Sequence, residues 1–157
     1  MHQIDGVPIR TNIAVHDTPC MFWEHYLNEH GYGRVQRNHK HKFVHQIAWE
    51  SVYGPVPKGF QIDHRCRNKS CYNIEHLRLA TNTQNRANQA KRSGCASRFK
   101  GVVWAKPCQQ WKAQIRAGGR VRFLGYFNDE CEAAQAYDRA SLELHGEFSV
   151  LNFPKAP

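Results

Sequence analysis

The sequence predicts an α+β chain in two units. The first is a set of short strands and helices gathered by histidines and cysteines; the second is a three-stranded antiparallel sheet packed on one helix. Three observations carry this. Two histidines, two cysteines and three basic residues crowd into HRCRNKSCYNIEH (64–76). Three strand-like stretches, SRFKGVVW, WKAQIR and RVRFLGYF, follow one another with turns between them. A helical stretch rich in alanine then runs on from Asp129.

A chain of 157 residues suffices for one ordinary domain or two small ones. Small domains bury too little surface to be comfortable without a metal, a disulfide or a partner. Hydrophobic residues make up 41% and the mean hydropathy is −0.70, with no apolar run near the ~20 residues that span a membrane. MHQIDGVPIRTN lacks the apolar stretch of a secretory signal, so an intracellular, reducing setting is expected. There, six cysteines point to metal binding rather than disulfides. The formal charge of +9, with ten histidines uncounted, suggests a polyanionic partner whose phosphates Lys and Arg would neutralise. The plainer reading is a basic surface, and motifs must decide between them.

The expected division is a domain over 1–91, a linker at 92–97 and a second domain over 98–157. In the first, GYGRVQRN (31–38) has glycine punctuation and then alternation, as in a hairpin strand. FVHQIAWESVYG (43–54) places Val44, Ile47, Ala48 and Val52 at helical spacing, and Gly54-Pro55 ends the helix. GFQID (59–63) is a short strand leading into His64. LRLATNTQNRANQAKR (77–92) starts extended and becomes a helix, with Thr81 or Thr83 as N-cap.

Cys66, Cys71 and His76 offer three ligands of the kind zinc prefers, and structural zinc sites are closed by four. Cys20 is the other cysteine of this block, and its alternative role is that of a small buried hydrophobe. Cys20, Cys66, Cys71 and His76 thus make a candidate Cys₃His set, and a small fold gains stability from such a metal directly. His64 could also ligate zinc. However, it follows Asp63, a hard oxygen ligand suited to Mg²⁺ or Mn²⁺, at the end of a strand, and Asn85 lies on the helix beyond. Imidazole, carboxylate and amide together suit metal-assisted phosphodiester hydrolysis, with the imidazole as base.

IDHRCRN, CYNIEHL and TNTQN resemble an HNH (ββα-metal, His-Me finger) endonuclease of the zinc-bearing phage or homing type, over residues 18–90. The resemblance implies that His64 is the general base, Asn85 a ligand of a catalytic Mg²⁺ or Mn²⁺, and Asp63 a second ligand. It implies that PCMFWEHYLNEHGYGRV forms an N-terminal hairpin whose Cys20 completes the zinc site, and that Asn73 orders the loop. A basic residue that holds the phosphate is expected nearby, with Arg37, His39 and Lys40 competing. His45 is expected to be a packed, hydrogen-bonded core histidine.

In WKAQIR, Trp111, Ala113 and Ile115 point to one face and Lys112, Gln114 and Arg116 to the other. Asp129 with Glu132 suggests a capping box, followed by a helix through Ala133, Ala136, Tyr137, Ala140 and Leu144. FKGVVW, WKAQIR, FLGYF and EAAQAYDRASLELHGEFSVLNFP resemble the plant ethylene-response-factor (APETALA-type) DNA-binding domain over residues 97–154. That family lays its sheet in the major groove of double-stranded DNA, and the resemblance puts Lys100 and Arg116 on its DNA-contacting positions; Lys112, Gln114, Arg120 and Arg122 are further candidate DNA contacts. Val103 and Ala105 stand where the plant domains carry arginines, Phe123 replaces a tryptophan and Gln114 a glutamate. The plant sequence preference therefore does not carry over. Strict alternation from Leu124 would turn Arg122 to the helix side, so a bulge or edge position is expected there. Cys95, Cys108 and Cys131 have no ligand spacing and read as free thiols.

The sequence thus favours a metal-dependent DNA endonuclease, a phage or mobile-element homing enzyme in a bacterial host's cytoplasm. It would nick as a monomer or cut both strands as a homodimer. A zinc-containing DNA-binding regulator without cleavage is the non-enzyme alternative, and a restriction or host-takeover nuclease is another.

Overall fold

The computed structural model describes residues 3–4, 7–8, 18–37, 40–91, 94 and 96–154, with side chains for 18–36, 40–91, 94 and 96–154. The chain divides into two compact units, Met1–Asn82 and Thr83–Pro157.

The first unit is assembled from two-stranded antiparallel pairs and one helix. The short strands β1 (Gln3–Ile4) and β2 (Val7–Pro8) pair with each other. Strand β3 (Arg34–Arg37) pairs with β4 (Lys40–Phe43), from Arg34 opposite Phe43 to Arg37 opposite Lys40. Helix α1 (Val44–Tyr53) follows directly and buries Val44, His45 and Trp49. Val52, expected on the apolar stripe, is instead exposed. The larger indole of Trp49 is the apolar group this helix buries in its second half, and it leaves Val52 on the solvent side of the last turn.

Strand β5 (Phe60–His64) pairs with β6 (Leu77–Thr81), from Phe60 opposite Thr81 to His64 opposite Leu77. The segment between them is too long for a tight hairpin, so side chains and backbone fix its shape. The Asn68 side chain accepts from the Ser70 N–H at 3.2 Å and from the Ser70 hydroxyl at 3.0 Å, which turns the chain between Cys66 and Cys71. Asn73 caps a 3₁₀ turn over Ile74–His76 by accepting from the Glu75 N–H at 3.0 Å. The Arg65 N–H donates to the His76 carbonyl at 2.8 Å and closes the base. Strand β6 runs straight into helix α2 (Asn82–Asn88), so of the two threonines Thr81 holds the position before the helix.

The second unit is a sheet in the order β7 (Val102–Ala105), β8 (Gln110–Ala117), β9 (Arg120–Phe127), followed by helix α3 (Glu130–His145). Gly118 and Gly119 form the two-residue turn between β8 and β9. Both have positive φ, 58° and 77°, as the hairpin turn that matches strand twist requires. Asp129 caps α3 by accepting from the Glu132 N–H at 2.9 Å, as expected of a capping box. The core joins Val102 and Ala113 of the sheet to Ala133 and Ala134 of the helix, with Phe99, Trp111, Leu124 and Phe127 packed around them. Alanines at the contact let the helix approach closely. Gly101 serves the same end: its φ is +77°, and a side chain there would run into the Tyr137 ring.

Two motif residues explain themselves here. The carboxylate of Asp138, buried on α3, accepts from the Asn152 and Phe153 N–H groups at 2.8 Å each. The Asn152 side chain in turn accepts from the Lys100 N–H at 2.7 Å and donates to the Lys100 carbonyl at 3.1 Å. A buried polar group is tolerated only when bonded, and this one straps the C-terminal segment over the unit.

The β8–β9 register slips between Ala113, opposite Gly125, and Gln114, opposite Phe123, so Leu124 is bulged. The expected irregularity is present. It leaves Arg122 opposite Ile115, and Arg122 is nevertheless exposed. Among the described residues, no helix is long and apolar enough to cross a membrane.

Candidate active site and metal centre

The N-terminal arm reaches the loop between β5 and β6 through backbone pairing. Phe22 bridges Cys71, the Trp23 N–H donates to the Ser70 carbonyl at 3.0 Å, and the Tyr72 N–H donates to the Met21 carbonyl at 2.9 Å. Asn73, from the other side, donates to the Pro19 carbonyl at 2.9 Å, so it orders both loop and arm. These bonds bring Cys20 beside Cys71.

As a result the ligand atoms of Cys20, Cys66, Cys71 and His76 all lie within 4.8 Å of one another. The Nδ1 of His76 is 3.4 Å from the Cys20 sulfur and 3.5 Å from the Cys71 sulfur. Four ligands about 2.0–2.3 Å from one tetrahedral zinc ion would stand at separations of this size. The tautomer fits as well. The Nε2 of His76 lies 2.9 Å from the Thr18 carbonyl, which can only accept, so Nε2 carries the proton and Nδ1 presents its lone pair to the sulfurs. Burial pushes the Cys66 thiol up to about 12 and raises that of Cys20. A divalent cation would reverse this, because a coordinating thiol is deprotonated. The donor set therefore fits a structural zinc site.

His64 ends β5 and is buried, with Nε2 donating to the Cys71 carbonyl at 2.9 Å. That bond ties it to the metal loop and leaves Nδ1 as the nitrogen able to take a proton. Burial lowers its pKa, opposed by the Cys71 bond and the Asp63 charge, and His76 lowers it further. His64 is therefore neutral at pH 7.

Asp63 is also buried. Its Oδ2 accepts from Arg78 Nε at 2.8 Å, directly across the β5–β6 pair. Arg78 is a partner that sequence reasoning missed, although the register that opposes it to Asp63 would have pointed to it. Thr18, the partner of His76 through its carbonyl at 2.9 Å and its hydroxyl at 3.3 Å, lies outside any local motif and leaves no such signal.

His45 is packed as expected, but its buried Nδ1 has no hydrogen-bond partner. Its ring stands edge-on to His64 with centroids 4.7 Å apart, and Tyr32 lies 5.5 Å from His45 and 6.0 Å from His64. Burial and the neighbouring His64 hold His45 down at about 3. The aromatic surroundings give its ring contacts but offer Nδ1 no acceptor or donor, so the expected hydrogen bond is missing.

Asn85 is half-buried on α2. Arg37 ends β3 opposite Lys40, which is exposed at the start of β4; the Arg37 side chain and His39 lie outside the described residues. In the second unit, Lys112, Gln114 and Arg116 share the outward face of β8. Arg120 and Arg122 oppose Ala117 and Ile115 on the other face and are exposed. The Lys100 ammonium donates to the carbonyls of Ala87 at 2.5 Å and Gln89 at 2.6 Å. Cys108 and Cys131 are free, and Cys95 lies outside the described residues.

Fold and site together define an HNH endonuclease unit followed by a sheet-and-helix domain of the AP2/ERF kind. The chain belongs to the HNH endonuclease family, whose model matches residues 42–87, and carries an AP2/ERF-like domain in its C-terminal part. Proteins 7.7 and 3.8 of Escherichia phage T7 are 44% and 32% identical to it over 66 and 105 residues, which are 42% and 67% of this chain. The chain spans about half of the first, 51%, and 86% of the second. An uncharacterized HNH endonuclease of Acanthamoeba polyphaga mimivirus is 31% identical over 133 residues, 81% of this chain and 65% of that protein. APETALA2-like protein 2 of Oryza sativa subsp. japonica is 41% identical over 63 residues, 39% of this chain and 14% of its own length. No solved structure matches.

Proposed function

We propose that the protein is a metal-dependent DNA endonuclease that hydrolyses phosphodiester bonds, encoded by a phage or mobile element as a homing enzyme and acting in the host cytoplasm. The observation that carries this reading is the fixed tautomer of His64. With Nε2 donating to the Cys71 carbonyl, Nδ1 is the basic nitrogen of a neutral imidazole, as a general base requires. His64 takes a proton from the attacking water at that atom. Asp63 and Asn85 are the proposed oxygen ligands of a catalytic Mg²⁺ or Mn²⁺, which when bound neutralises charge on the scissile phosphate and the leaving oxygen. Arg78 fixes the Asp63 carboxylate through Oδ2. Cys20, Cys66, Cys71 and His76 hold Zn²⁺ and thereby fix the carbonyl that orients His64.

The functional division follows 1–91 as nuclease domain, 92–97 as linker and 98–157 as DNA-binding domain; the family match running through α2 to residue 87 supports it. Lys112, Gln114 and Arg116 are the proposed base-facing residues, with Lys100, Arg120, Arg122, Arg37 and Lys40 as flanking contacts to double-stranded DNA. The Asp63–Arg78 ion pair favours a second reading, a zinc-containing regulator, because a carboxylate already paired has less need of a cation. Wild type and His64→Ala incubated with supercoiled plasmid, with and without Mg²⁺, decide between them. Metal-dependent nicking or linearisation should fall about 10²- to 10⁴-fold in the variant, with DNA binding and zinc content unchanged. A zinc-loaded wild type that binds DNA and cuts none would leave the regulator.

A further inference from the structure

The outward face of the β7-β8-β9 sheet has a composition that bears on which bases it meets. Side chains directly opposite one another in an antiparallel pair share a face. Val103 and Tyr126 oppose Lys112, Phe123 opposes Gln114, and Val121 opposes Arg116. Beyond Ala105 and Gln110 at its edge, the face therefore combines four apolar or aromatic groups with one lysine, one amide and one arginine, and none of these positions is acidic. Phe123 is 55% exposed, Val121 53%, Tyr126 46% and Val103 37%, a patch that a sheet turned to water alone would not favour.

The bulge at Leu124 makes this face. It brings Phe123 and Tyr126 to the same side, with ring centroids 4.9 Å apart, while Leu124 packs on the core. At the level of Gln114, β7 has run out into Gly101, whose carbonyl accepts the Gln114 N–H at 2.9 Å and which adds no side chain. The half-buried Gln114 thus has Phe123 on one side and Gly101, which has no side chain, on the other. Its carboxamide makes no hydrogen bond to the described residues.

We propose that this face reads an A·T-containing major-groove site, in which Gln114 pairs with an adenine and Phe123, Val103 and Val121 pack on thymine methyl groups. This rests on the reading of the C-terminal unit as the DNA-binding part. A carboxamide offers one donor and one acceptor side by side, which match the N7 acceptor and N6 amino donor of adenine. Guanine shows two acceptors in their place, and thymine alone presents an apolar methyl group. Arg116 is the one side chain of this face with the fork that suits guanine. The Lys112 ammonium sits 6.0 Å over the Phe123 ring, placed for a phosphate rather than for a base edge. Alternate residues of a strand are about 6.8 Å apart, close to two base steps of 3.4 Å. With β8 along the groove, the adenine read by Gln114 lies about two base pairs from a guanine read by Arg116.

The test is selection of bound duplexes from a random pool by the full-length, zinc-loaded chain without Mg²⁺, repeated with Gln114→Glu and with Gln110→Glu as control. Glutamate accepts from the cytosine amino group, so Gln114→Glu should move one position from adenine to cytosine by about five- to 150-fold. Gln110→Glu, at the edge and bonded to Asn128, should move nothing. Replacing the selected thymines by uracil should weaken wild type about fourfold per methyl group and leave Phe123→Ala less affected. A guanine–cytosine core, or a preference unmoved by Gln114→Glu, overturns the inference while leaving DNA binding by this unit intact. So does a Phe123→Ala variant that changes self-association and not base choice. A chain that binds no duplex overturns both this and the reading beneath it.

Discussion

The two units of this chain are nearly equal in length and are held together by different means. The C-terminal one has an apolar centre, Val102, Ala113, Ile115, Ala133 and Ala134, sealed by one buried carboxylate. The N-terminal one buries Val44, Trp49, Leu77 and Ala80, but with them His45, Asp63, His64, Asn73 and His76. Burying polar groups costs free energy unless each is bonded or coordinated. The first unit thus keeps in its interior the side chains proposed for its chemistry, and offsets that by an ion pair, capped turns and a donor set that fits zinc. The second can spend its interior on packing because the side chains assigned to DNA stand on its surface.

The largest test of this contrast removes the metal. Cys71→Ser should abolish zinc binding and unfold the N-terminal unit, since structural zinc contributes about 10–16 kcal/mol of folding free energy. Metal analysis with amide NMR of the full chain should show the loss confined to the first unit. An unchanged spectrum with full zinc content would break the comparison.

Asp138→Ala is the counterpart in the second unit. Losing two charge-assisted bonds to the Asn152 and Phe153 N–H groups should cost about 3 kcal/mol and release the C-terminal strap, seen as faster hydrogen exchange at those two amides. The zinc content should stay constant.

Acid sharpens the contrast further. His45 has an ordinary value of 6.5 and a folded value of about 3, so the unfolded chain takes up the proton first. Its contribution to stability is complete above pH 6.5 and is lost as pH falls from there towards about 3. With zinc saturated, His45→Asn should flatten the stability slope below pH 6.5 by up to about 1.4 kcal/mol per pH unit. An equal slope in both proteins would show that the orphaned imidazole is not what acid attacks.

The smallest effect concerns the surface. Lys112→Ala should reduce the salt dependence of DNA affinity by a slope of about 0.9, provided its ammonium releases one counterion, with no change in melting of either unit. A slope that stays put would take Lys112 off the phosphates.

Local patterns made much of this legible. The intervals among Cys66, Cys71 and His76 announced a metal loop because ligand spacing is a short-range property. Alternation in WKAQIR gave the two faces of β8 because strand side chains alternate wherever the strand is placed. The Asp129–Glu132 pair marked the start of α3 because a cap acts within one turn. Other features depended on what each segment meets. Val52 had the right spacing for the helix stripe, but only packing could choose Trp49 in its place. The Leu124 bulge was suspected from the awkward position of Arg122, yet where it falls is set by how β9 fits β8.

By itself, then, the sequence determined the residue types, the local run of Cys66, Cys71 and His76, and the order of strands and helices, all of which depend on neighbours a few positions apart. Tertiary structure alone decided that Arg78 lies across from Asp63, that Thr18 and Cys71 lend carbonyls to His76 and His64, and that Asn152 closes on Lys100. These partners lie 7 to 58 residues apart, and the bonds to His64 and His76 use backbone carbonyls that every residue carries. Side-chain identity leaves no mark of those two, the Asp63–Arg78 pair shows only once the strand register is known, and only the folded path brings donor to acceptor.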